Sequence, residues 1–229
     1  MKIDAIIPAG GKGSRFAKNE KKQFYKINGN EIIYYTIKNL NNSYNFNKFI
    51  IGVLDEDINV ITDILNRIGI KNFILTKAGE VRHQTVFNGL LKSDTDLVLI
   101  HDAVRPIITG EIVNNVINMA KNYDGVICGI KLKDALKEVN VDNTIKLSVD
   151  RNKYILVHTP QVFKREVLRL ALDSIEKKHK IIYDEAEALE YIEKKVIYVD
   201  SEPYNIKITF KEDIPLAKFL MKSYLSEQF

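Results

Sequence analysis

Short apolar runs alternate along this chain with segments whose apolar side chains recur every three or four positions. The apolar runs lie at residues 3–7, 48–54, 72–75, 97–100 and 125–130. Runs of this length, without regular polar interruptions, are typical of strands that are buried on both faces. We therefore expect the core strands of a sheet at these places.

Helical spacing fills the intervals between the apolar runs. It predicts helices at 33–40, 58–68, 82–91, 112–120, 168–175, 184–192 and 217–225. Two further short strands are expected near the C-terminus, at 195–199 and 206–208. Strands that alternate with helices in this way predict an α/β fold, with a Rossmann-like, mostly parallel sheet and helices on both faces.

The pattern of apolar and polar residues changes between residues 131 and 157. Apolar and polar positions alternate there on both sides of a turn at Asn140 to Asn143. This pattern is typical of a hairpin with polar faces, which has little core to bury. We interpret 131–157 as a protruding β-arm of a single domain, 1–229, and expect the arm to lie across a second subunit.

Composition excludes several classes of protein. The 229 residues are 45% hydrophobic and 28% charged, as in an ordinary globular domain. No apolar run approaches the ~18–20 residues of a membrane span, and the chain enters its first strand without a signal peptide. We expect a cytoplasmic protein with no membrane partner.

The charges are mixed along most of the chain. Lys and Arg number 34 against 30 Asp and Glu, for a net charge of +4. Interleaved charges of this kind favour a small anionic ligand over nucleic acid. The single cysteine, Cys128, lies in an apolar run and is expected to be a buried core residue. The four histidines show no spacing that predicts a zinc site.

Candidate chemistry begins directly after the first strand. The segment Ala9-Gly10-Gly11-Lys12-Gly13-Ser14-Arg15, which we call the glycine loop, places three glycines among cationic side chains. Glycines let backbone N–H groups approach an anion closely. Within residues 1–26, seven Lys and Arg face only Asp4 and Glu20, a local charge of +5 that predicts a polyphosphate ligand.

Two common phosphate loops do not match this spacing. Phe16 stands where the dinucleotide-binding fingerprint needs a small residue, and the chain has no G-x-x-x-x-G-K-[ST] motif. The ordinary alternative for the glycine loop is a turn with solvated lysines. Charge alone does not distinguish Lys21 from Lys22 as a phosphate ligand.

A second polar loop follows the apolar run at 97–100. It contains His101, Asp102 and Arg105. Ligands of open α/β sheets gather beyond the carboxyl ends of the strands, where this loop and the glycine loop both lie. We therefore expect the two loops to meet, either around a ligand or through an Asp102–Arg105 pair that only shapes the loop.

Seven blocks together make the chain recognisable. They are Ala9-Gly-Gly-x-Gly-x-Arg15 with Lys22-Gln23, Arg82 to Leu90, His101 to Pro106, Val149 to Asn152, Thr159 to Phe163, Asp184 to Ala186 and Asn205 to Thr209. In these blocks and their order the chain resembles the pyrimidine-type nucleotidyltransferases, specifically the cytidylyltransferases that make CDP-methylerythritol or CDP-ribitol. The resemblance spans nearly the whole sequence.

The resemblance implies an enzyme that transfers CMP from CTP to a sugar-alcohol phosphate and releases pyrophosphate. The residues expected to act in catalysis are Arg15, Lys22, Arg151 and Lys207. The residues expected to bind the nucleotide are Ala9, Gly10, Gly11, Gly13, Gly79, Glu80, Arg82, Thr85, Asp102 and Ala103. Of these, Thr85 and the loop around Gly79 would read cytosine, with Arg82 bracing that loop. The acceptor would contact Asp102, Arg105, Asp134, Arg151 and Lys207.

The resemblance also implies Mg²⁺ bound mainly through the CTP phosphates, with no dedicated protein ligand. It implies a homodimer in which the 131–157 arm completes the partner's active site. The motifs favour 2-C-methyl-D-erythritol 4-phosphate as acceptor, with ribitol 5-phosphate as the alternative. Ala135 and Tyr183 stand where relatives often carry threonine, which leaves the acceptor open. A catalytically idle nucleotide-binding subunit is the alternative from another class.

Overall fold

Within residues 2–11, 13, 16 and 20–224, which the computed structural model describes, seven strands form one central sheet. The strands of the protein are, in chain order, β1 (Ile3–Pro8), β2 (Lys26–Ile27), β3 (Asn30–Glu31), β4 (Lys48–Val53), β5 (Phe73–Lys77), β6 (Leu97–Ile100), β7 (Gly125–Lys131), β8 (Leu136–Val139), β9 (Ile145–Val149), β10 (Ile155–Lys164) and β11 (Val196–Asp200). The order across the sheet is β5-β4-β1-β6-β10-β7-β11. Among the seven described strands of this central sheet, only β10 runs antiparallel to its neighbours. The predicted mostly parallel α/β sheet is confirmed.

Helices cover both faces of this sheet. They are α1 (Ile32–Ser43), α2 (Ile58–Ile68), α3 (Arg82–Leu90), α4 (Gly110–Ala120), α5 (Arg165–Lys177), α6 (Glu185–Glu190) and α7 (Asp213–Tyr224). Alternate side chains of each strand enter opposite layers, since successive residues of a strand point to opposite faces. Ile7 packs with α1, α2 and α4, whereas Ile6 packs with α3, α5 and α6.

Most predicted elements lie within about three residues of their expected bounds, and two differ more. Residues 206–208 form no strand; they run irregularly and share a backbone hydrogen bond of 3.0 Å from the Ile208 N–H to the Val104 carbonyl. The predicted C-terminal helix, 217–225, begins four residues earlier, at Asp213, and is described as far as Tyr224, since Leu225 lies outside the described residues.

The largest difference from the expectation is β10. Sequence patterns did not predict it, because Pro160 interrupts its apolar run and proline is rare inside a central strand. The structure accommodates the proline at an irregularity. The ladder with β7 shifts register between His158 and Gln161, and the Thr159–Pro160 peptide bond is cis. The predicted arm consequently ends near Tyr154, since 155–157 pair with β7.

The arm itself is a hairpin separate from the central sheet. Strands β8 and β9 pair only with each other among the described strands. The expectation of polar faces is wrong in part, because several apolar side chains of the arm are exposed to solvent: Val139, Val141, Ile145 and Leu147. No part of the described protomer covers them.

Two further features concern the core and the surface. Cys128 is fully buried in β7, as expected, and burial raises the pKa of its thiol to about 12. A thiol with this pKa stays protonated and is a poor nucleophile. None of the helices in the described part of the chain has the length and apolar character that crossing a bilayer requires.

Replacing Phe163 by alanine is expected to destabilise the protein by about 3–5 kcal/mol, because it leaves a cavity in a close-packed layer. Phe163 is fully buried on β10, and its ring covers Gly125 of β7. Chemical denaturation measures the free energy of unfolding. Leu170→Ala, on the exposed side of α5, is the control and should change this free energy by less than about 0.5 kcal/mol. Equal losses in both variants would contradict the central position of β10.

Candidate active site

A pocket opens at the carboxyl edge of the sheet, beyond β1, β5 and β6. Its lining joins the glycine loop, the turn before α3, the loop after β6 and the segment before α7: Pro8, Ala9, Gly10, Gly11, Lys22, Gln23, Gly79, Glu80, Val81, Arg82, Thr85, Asp102, Ala103, Val104 and Lys207. The expected meeting of the two charged loops is confirmed. Most residues predicted to bind a nucleotide lie in this one pocket.

At Gly10 the glycine loop passes so close to the turn before α3 that a side chain does not fit. A Cβ at Gly10 would lie 2.1 Å from the Cβ of Ala78. Gly13 has a φ of +68°, a left-handed conformation that favours glycine. Lys12, Ser14 and Arg15 lie outside the described residues, and the predicted role of Arg15 stays a prediction.

Gln23 holds the glycine loop in shape. Its side chain is 2% exposed, and Nε2 donates to the carbonyl oxygens of Ala9 and Gly11, both at 2.9 Å. One side chain thereby pairs two backbone carbonyls of the glycine loop. The sequence signalled this residue only through the Lys-Gln pair of the family motif.

The structure separates Lys21 from Lys22. Lys22 lines the pocket. Lys21 instead points to α2, where its Nζ lies 2.7 Å from Oδ1 of Asp57. The positive charge of Lys21 is neutralised outside the pocket, so Lys22 is the residue of this pair that can reach a bound phosphate.

The turn between β5 and α3 is braced by two side chains of the helix. The Gly79 N–H donates to Thr85 Oγ1 at 3.0 Å, and the Glu80 N–H donates to Gln84 Oε1 at 3.1 Å. The expectation that Arg82 braces this turn is wrong, because its guanidinium group points across the pocket to Asp102. Thr85 therefore shapes the turn that was predicted to read the base.

Asp102 is the centre of a buried ion cluster. Its carboxylate receives Nε of Arg82 at 3.0 Å, Nζ of Lys207 at 2.9 Å and Nε of Arg105 at 3.4 Å. Burial opposes ionisation of Asp102, but these three cations outweigh it and hold the pKa of the carboxyl well below its usual range. Asp102 is therefore a carboxylate at any physiological pH.

Glu185 extends this cluster and was missed as a site residue. It is the first residue of α6 and is fully buried, and both carboxylate oxygens lie 2.7 Å from Nη1 of Arg82. Burial opposes the charge of Arg82, but Glu185 and Asp102 outweigh it and raise the pKa of the guanidinium. The Asp184-Glu185-Ala186 block was the only sequence signal, since burial of a glutamate cannot be read from the pattern.

Lys207 does not occupy the strand on which we expected it. The irregular segment lets its backbone pass beside the loop after β6, with the neighbouring Ile208 fully buried. The side chain of Lys207 is 37% exposed and faces both Asp102 and the pocket. An isolated strand lysine would point to solvent, so the contact with Asp102 depends on the irregular backbone.

Arg105 and His101 stabilise the loop after β6 from beneath. Arg105 Nη1 donates to the Asn205 carbonyl at 2.7 Å, and the Arg105 carbonyl lies 3.0 Å from Nε2 of His101. The other ring nitrogen of His101 lies 3.0 Å from Oγ1 of Thr159, which accepts from the Asp102 N–H. These bonds fix the direction of the Asp102 side chain.

The remaining predicted acceptor residues lie away from the pocket in the protomer. Asp134 and Arg151 belong to the exposed arm, where Arg151 Nη1 donates to the Lys133 carbonyl. Ala135 lies on the arm as well. Tyr183 is almost fully exposed and lines a second depression that includes Arg82, Asp102 and Lys207.

No group of three or more His, Cys, Asp or Glu side chains in the described ranges is arranged to hold a metal ion. Asp102 lines the pocket, and its carboxylate already contacts three cations.

A glycine loop that faces a cationic cluster across the carboxyl edge of a mostly parallel sheet is typical of α/β proteins that bind phosphorylated ligands. A family model described as "IspD: 2-C-methyl-D-erythritol 4-phosphate cytidylyltransferase" matches residues 3–223. The chain belongs to this IspD family. The resemblance inferred from the sequence motifs is confirmed.

Relatives and solved structures agree with this assignment. The 2-C-methyl-D-erythritol 4-phosphate cytidylyltransferase of Carboxydothermus hydrogenoformans is 32% identical to this chain, over 99% of this chain and 98% of the relative. That of Clostridium acetobutylicum is 35% identical, over 95% of this chain and 96% of the relative. The crystal structure of the 4-diphosphocytidyl-2C-methyl-D-erythritol synthase from Anaerococcus prevotii is similar with a TM-score of 0.86 at 26% identity, over 96% of each chain. That of the Francisella tularensis cytidylyltransferase gives 0.80 at 25%, over 96% of this chain and 100% of its own.

Acid is expected to destabilise the protein as the pH falls from 6.5, the ordinary histidine pKa, towards 4. Burial lowers the pKa of His101 to about 4, and burial together with the charge of Arg105 does the same for His158. The unfolded chain therefore binds more protons in this window. The free energy of unfolding should fall with pH by up to about 1.4 kcal/mol per unit for each histidine.

Urea unfolding at a series of pH values measures this slope. His158→Gln should flatten it, because glutamine cannot take up the proton. An unchanged slope in that variant would contradict the buried, neutral state of His158.

Proposed function

We propose that the protein transfers CMP from CTP to 2-C-methyl-D-erythritol 4-phosphate, forming 4-diphosphocytidyl-2-C-methyl-D-erythritol and pyrophosphate in isoprenoid biosynthesis. The observation that carries the proposal is the pocket in which Lys22 and the glycine loop face the Arg82–Asp102–Lys207 cluster, in a chain of the IspD family. Membership of a transferase family favours an enzyme over an idle nucleotide-binding subunit. The names of the relatives favour methylerythritol phosphate over ribitol phosphate.

The chemistry requires cations more than a base. The attacking phosphate has a second pKa near ~6, so it is largely ionised at neutral pH. Its oxygen attacks the α-phosphorus of CTP while the bond to pyrophosphate breaks, and negative charge gathers on the phosphoryl oxygens between them. Fixed positive groups around this phosphorus lower the barrier.

The described residues supply these groups from two sides. The backbone of the glycine loop and Lys22 would hold the triphosphate, which enters as its Mg²⁺ complex. Lys207 and Arg82 stand opposite, and Asp102 fixes both of them through contacts of 2.9 and 3.0 Å. Asp102 thus offsets the repulsion between Lys207 and Arg82 and holds both beside the pocket.

The turn at Gly79 and Glu80 is the proposed base site. Thr85 and Gln84 hold its backbone, and Glu80 lines the pocket. Cytosine differs from uracil in an exocyclic amine that donates hydrogen bonds, which a carbonyl or carboxylate on this turn would accept. The specificity for CTP would therefore rest on a turn whose shape Thr85 maintains.

The arm suits a role between subunits. It exposes Val139, Val141, Ile145 and Leu147, and it carries Asp134 and Arg151, neither of which lines the pocket of its own protomer. In the proposed homodimer this apolar surface is covered by the partner, and Arg151 reaches the acceptor phosphate in the partner's pocket. Since CTP is a cytoplasmic metabolite, the proposed activity implies a cytoplasmic enzyme acting on small substrates, without nucleic acid.

Pyrophosphate release with CTP and Mg²⁺ tests the proposed reaction. We expect turnover with methylerythritol 4-phosphate and at least ~100-fold lower kcat/KM in Lys22→Ala, since one lost contact to the developing charge costs about 10²–10³. Lys177→Ala, an exposed lysine on α5, is the matched control and should retain full activity. Turnover with ribitol 5-phosphate in place of methylerythritol phosphate would contradict the acceptor assignment.

Mixed dimers test the proposed sharing of sites. Lys22→Ala and Arg151→Ala homodimers should each be nearly inactive. After subunit exchange in equal amounts, each heterodimer contains one pocket with both residues intact, so activity should rise to about a quarter of the native value. No recovery under conditions where exchange is shown by mass spectrometry would place Arg151 outside the partner's site.

A further inference from the structure

Backbone hydrogen bonds hold the first half of the glycine loop to the sheet. The Ala9 N–H donates to the Gly52 carbonyl at 2.8 Å, which joins the end of β1 to the end of β4. Gln23 adds the two side-chain bonds to Ala9 and Gly11 described above. Residues 9–11 are therefore placed by the sheet at Ala9 and by the side chain of Gln23.

A side chain fastens the segment that brings the chain back to the pocket after the glycine loop. Residues 20–23, which we call the return limb, bring Lys22 to the pocket, while Lys21 points the other way. Lys21 Nζ lies 2.7 and 2.8 Å from the two carboxylate oxygens of Asp57, and it also donates to Glu56. Both acidic residues lie in the short turn between β4 and α2.

The Lys21–Asp57 pair differs from an ordinary surface ion pair. The side chain of Asp57 is 8% exposed and that of Lys21 is 23% exposed. Asp57 is the N-cap residue of α2 but forms no capping hydrogen bond, and its carboxylate turns to Lys21. Partial burial opposes the charge of Lys21, but Asp57 and Glu56 outweigh it and raise the pKa of the ammonium.

The return limb also supports the glycine loop. A Cβ on Gly13 would lie 3.1 Å from the Glu20 carbonyl oxygen and 3.1 Å from the Lys22 nitrogen. The limb is therefore the surface against which the loop turns back. Any shift of the limb would move Lys22 and the loop together.

We propose that Lys21 is a positioning residue, which fixes the return limb to α2 through Asp57 and thereby holds Lys22 at the phosphate pocket. This inference rests on the proposed function, in which Lys22 contacts the triphosphate. A displacement of about 1 Å at a reacting group can cost up to ~100-fold in rate. The Lys21–Asp57 contact is accordingly a determinant of activity although neither side chain lines the pocket.

Substitution of Asp57 distinguishes positioning from a direct phosphate contact by Lys21. If Lys21 positions the limb, Asp57→Asn removes the anchor and should lower kcat/KM for CTP by about tenfold, as Lys21→Ala does. If Lys21 bound phosphate, Asp57→Asn would release its ammonium group and lower the KM for CTP. The double variant should be no worse than either single one, because both remove the same contact.

Replacing Lys21 by proline should hold the return limb in place without an ion pair. The φ of Lys21 is −75°, close to the angle that proline imposes, and its N–H donates to none of the residues that the structure describes. Lys21→Pro would restrict the limb through its backbone. We expect kcat/KM for CTP in Lys21→Pro to lie within about threefold of the native value. Adding Asp57→Asn to Lys21→Pro should not change this kcat/KM further.

The experiment measures pyrophosphate release, KM for each substrate and the Tm of every variant. Lys211→Ala is the control, because it removes an exposed ion pair with Glu20 of the same limb. The two atoms lie 2.9 Å apart, and the side chains of Lys211 and Glu20 are 52% and 45% exposed. This variant should change kcat/KM by less than about twofold. The KM for methylerythritol phosphate should stay constant in the four single variants, Lys21→Ala, Asp57→Asn, Lys21→Pro and Lys211→Ala. A native-like Lys21→Ala, an improved Asp57→Asn, or a Lys21→Pro as impaired as Lys21→Ala would each overturn the proposal.

Absence of turnover in the unmodified protein would count against the proposed reaction instead. Lys21 can then be tested by CTP binding alone. In calorimetric titrations with CTP, Lys21→Pro should bind more tightly than Lys21→Ala and Asp57→Asn. Equal CTP affinities in all three variants would overturn the positioning role.

Discussion

The buried carboxylate of Asp102 is the interaction on which the pocket depends. Three cations from three parts of the chain, Arg82, Arg105 and Lys207, converge on it. Like charges so close together repel strongly where water is scarce, and leaving one of them unpaired costs several kcal/mol. Asp102 offsets that repulsion and gives each cation a direction. Glu185 pairs with Nη1 of Arg82, so Arg82 is held between two carboxylates.

The central strand β10 makes this arrangement rigid. Thr159, within β10, accepts from the Asp102 N–H and contacts His101, while its carbonyl accepts from Nδ2 of Asn205 at 2.8 Å. The loop after β6 and the segment that carries Lys207 are thus tied to the same residue. An antiparallel strand in a parallel sheet explains how segments far apart in sequence share one edge. Preorganised charge of this kind needs no reorganisation during the reaction.

The glycine loop on the opposite wall is held in a different way. Residues 9–11 rely on the Ala9–Gly52 backbone hydrogen bond and on the side chain of Gln23, and the return limb relies on the Lys21 ion pair. Two adjacent lysines therefore have different tasks, which follow from the alternating directions of side chains on the return limb. The pocket combines a wall set by backbone geometry with a wall set by buried charges, and a phosphorylated ligand would lie between them.

The sequence alone determined the class of the fold and the edge at which the site lies. Apolar runs and helical spacing reflect burial on one face or two, so β1, β4, β6 and α2 could be located from local pattern, and the glycines of residues 9–13 indicated an anion site. Only the tertiary structure decided which charges meet. The pairing of Lys21 with Asp57, of Arg82 with Glu185 and of Lys207 with Asp102 joins residues 36, 103 and 105 positions apart. Strand β10 was hidden for the same reason, because its proline fits an irregularity that exists only once β7 lies beside it. Local pattern records burial, whereas ion pairing and strand register depend on distances that only the folded chain sets.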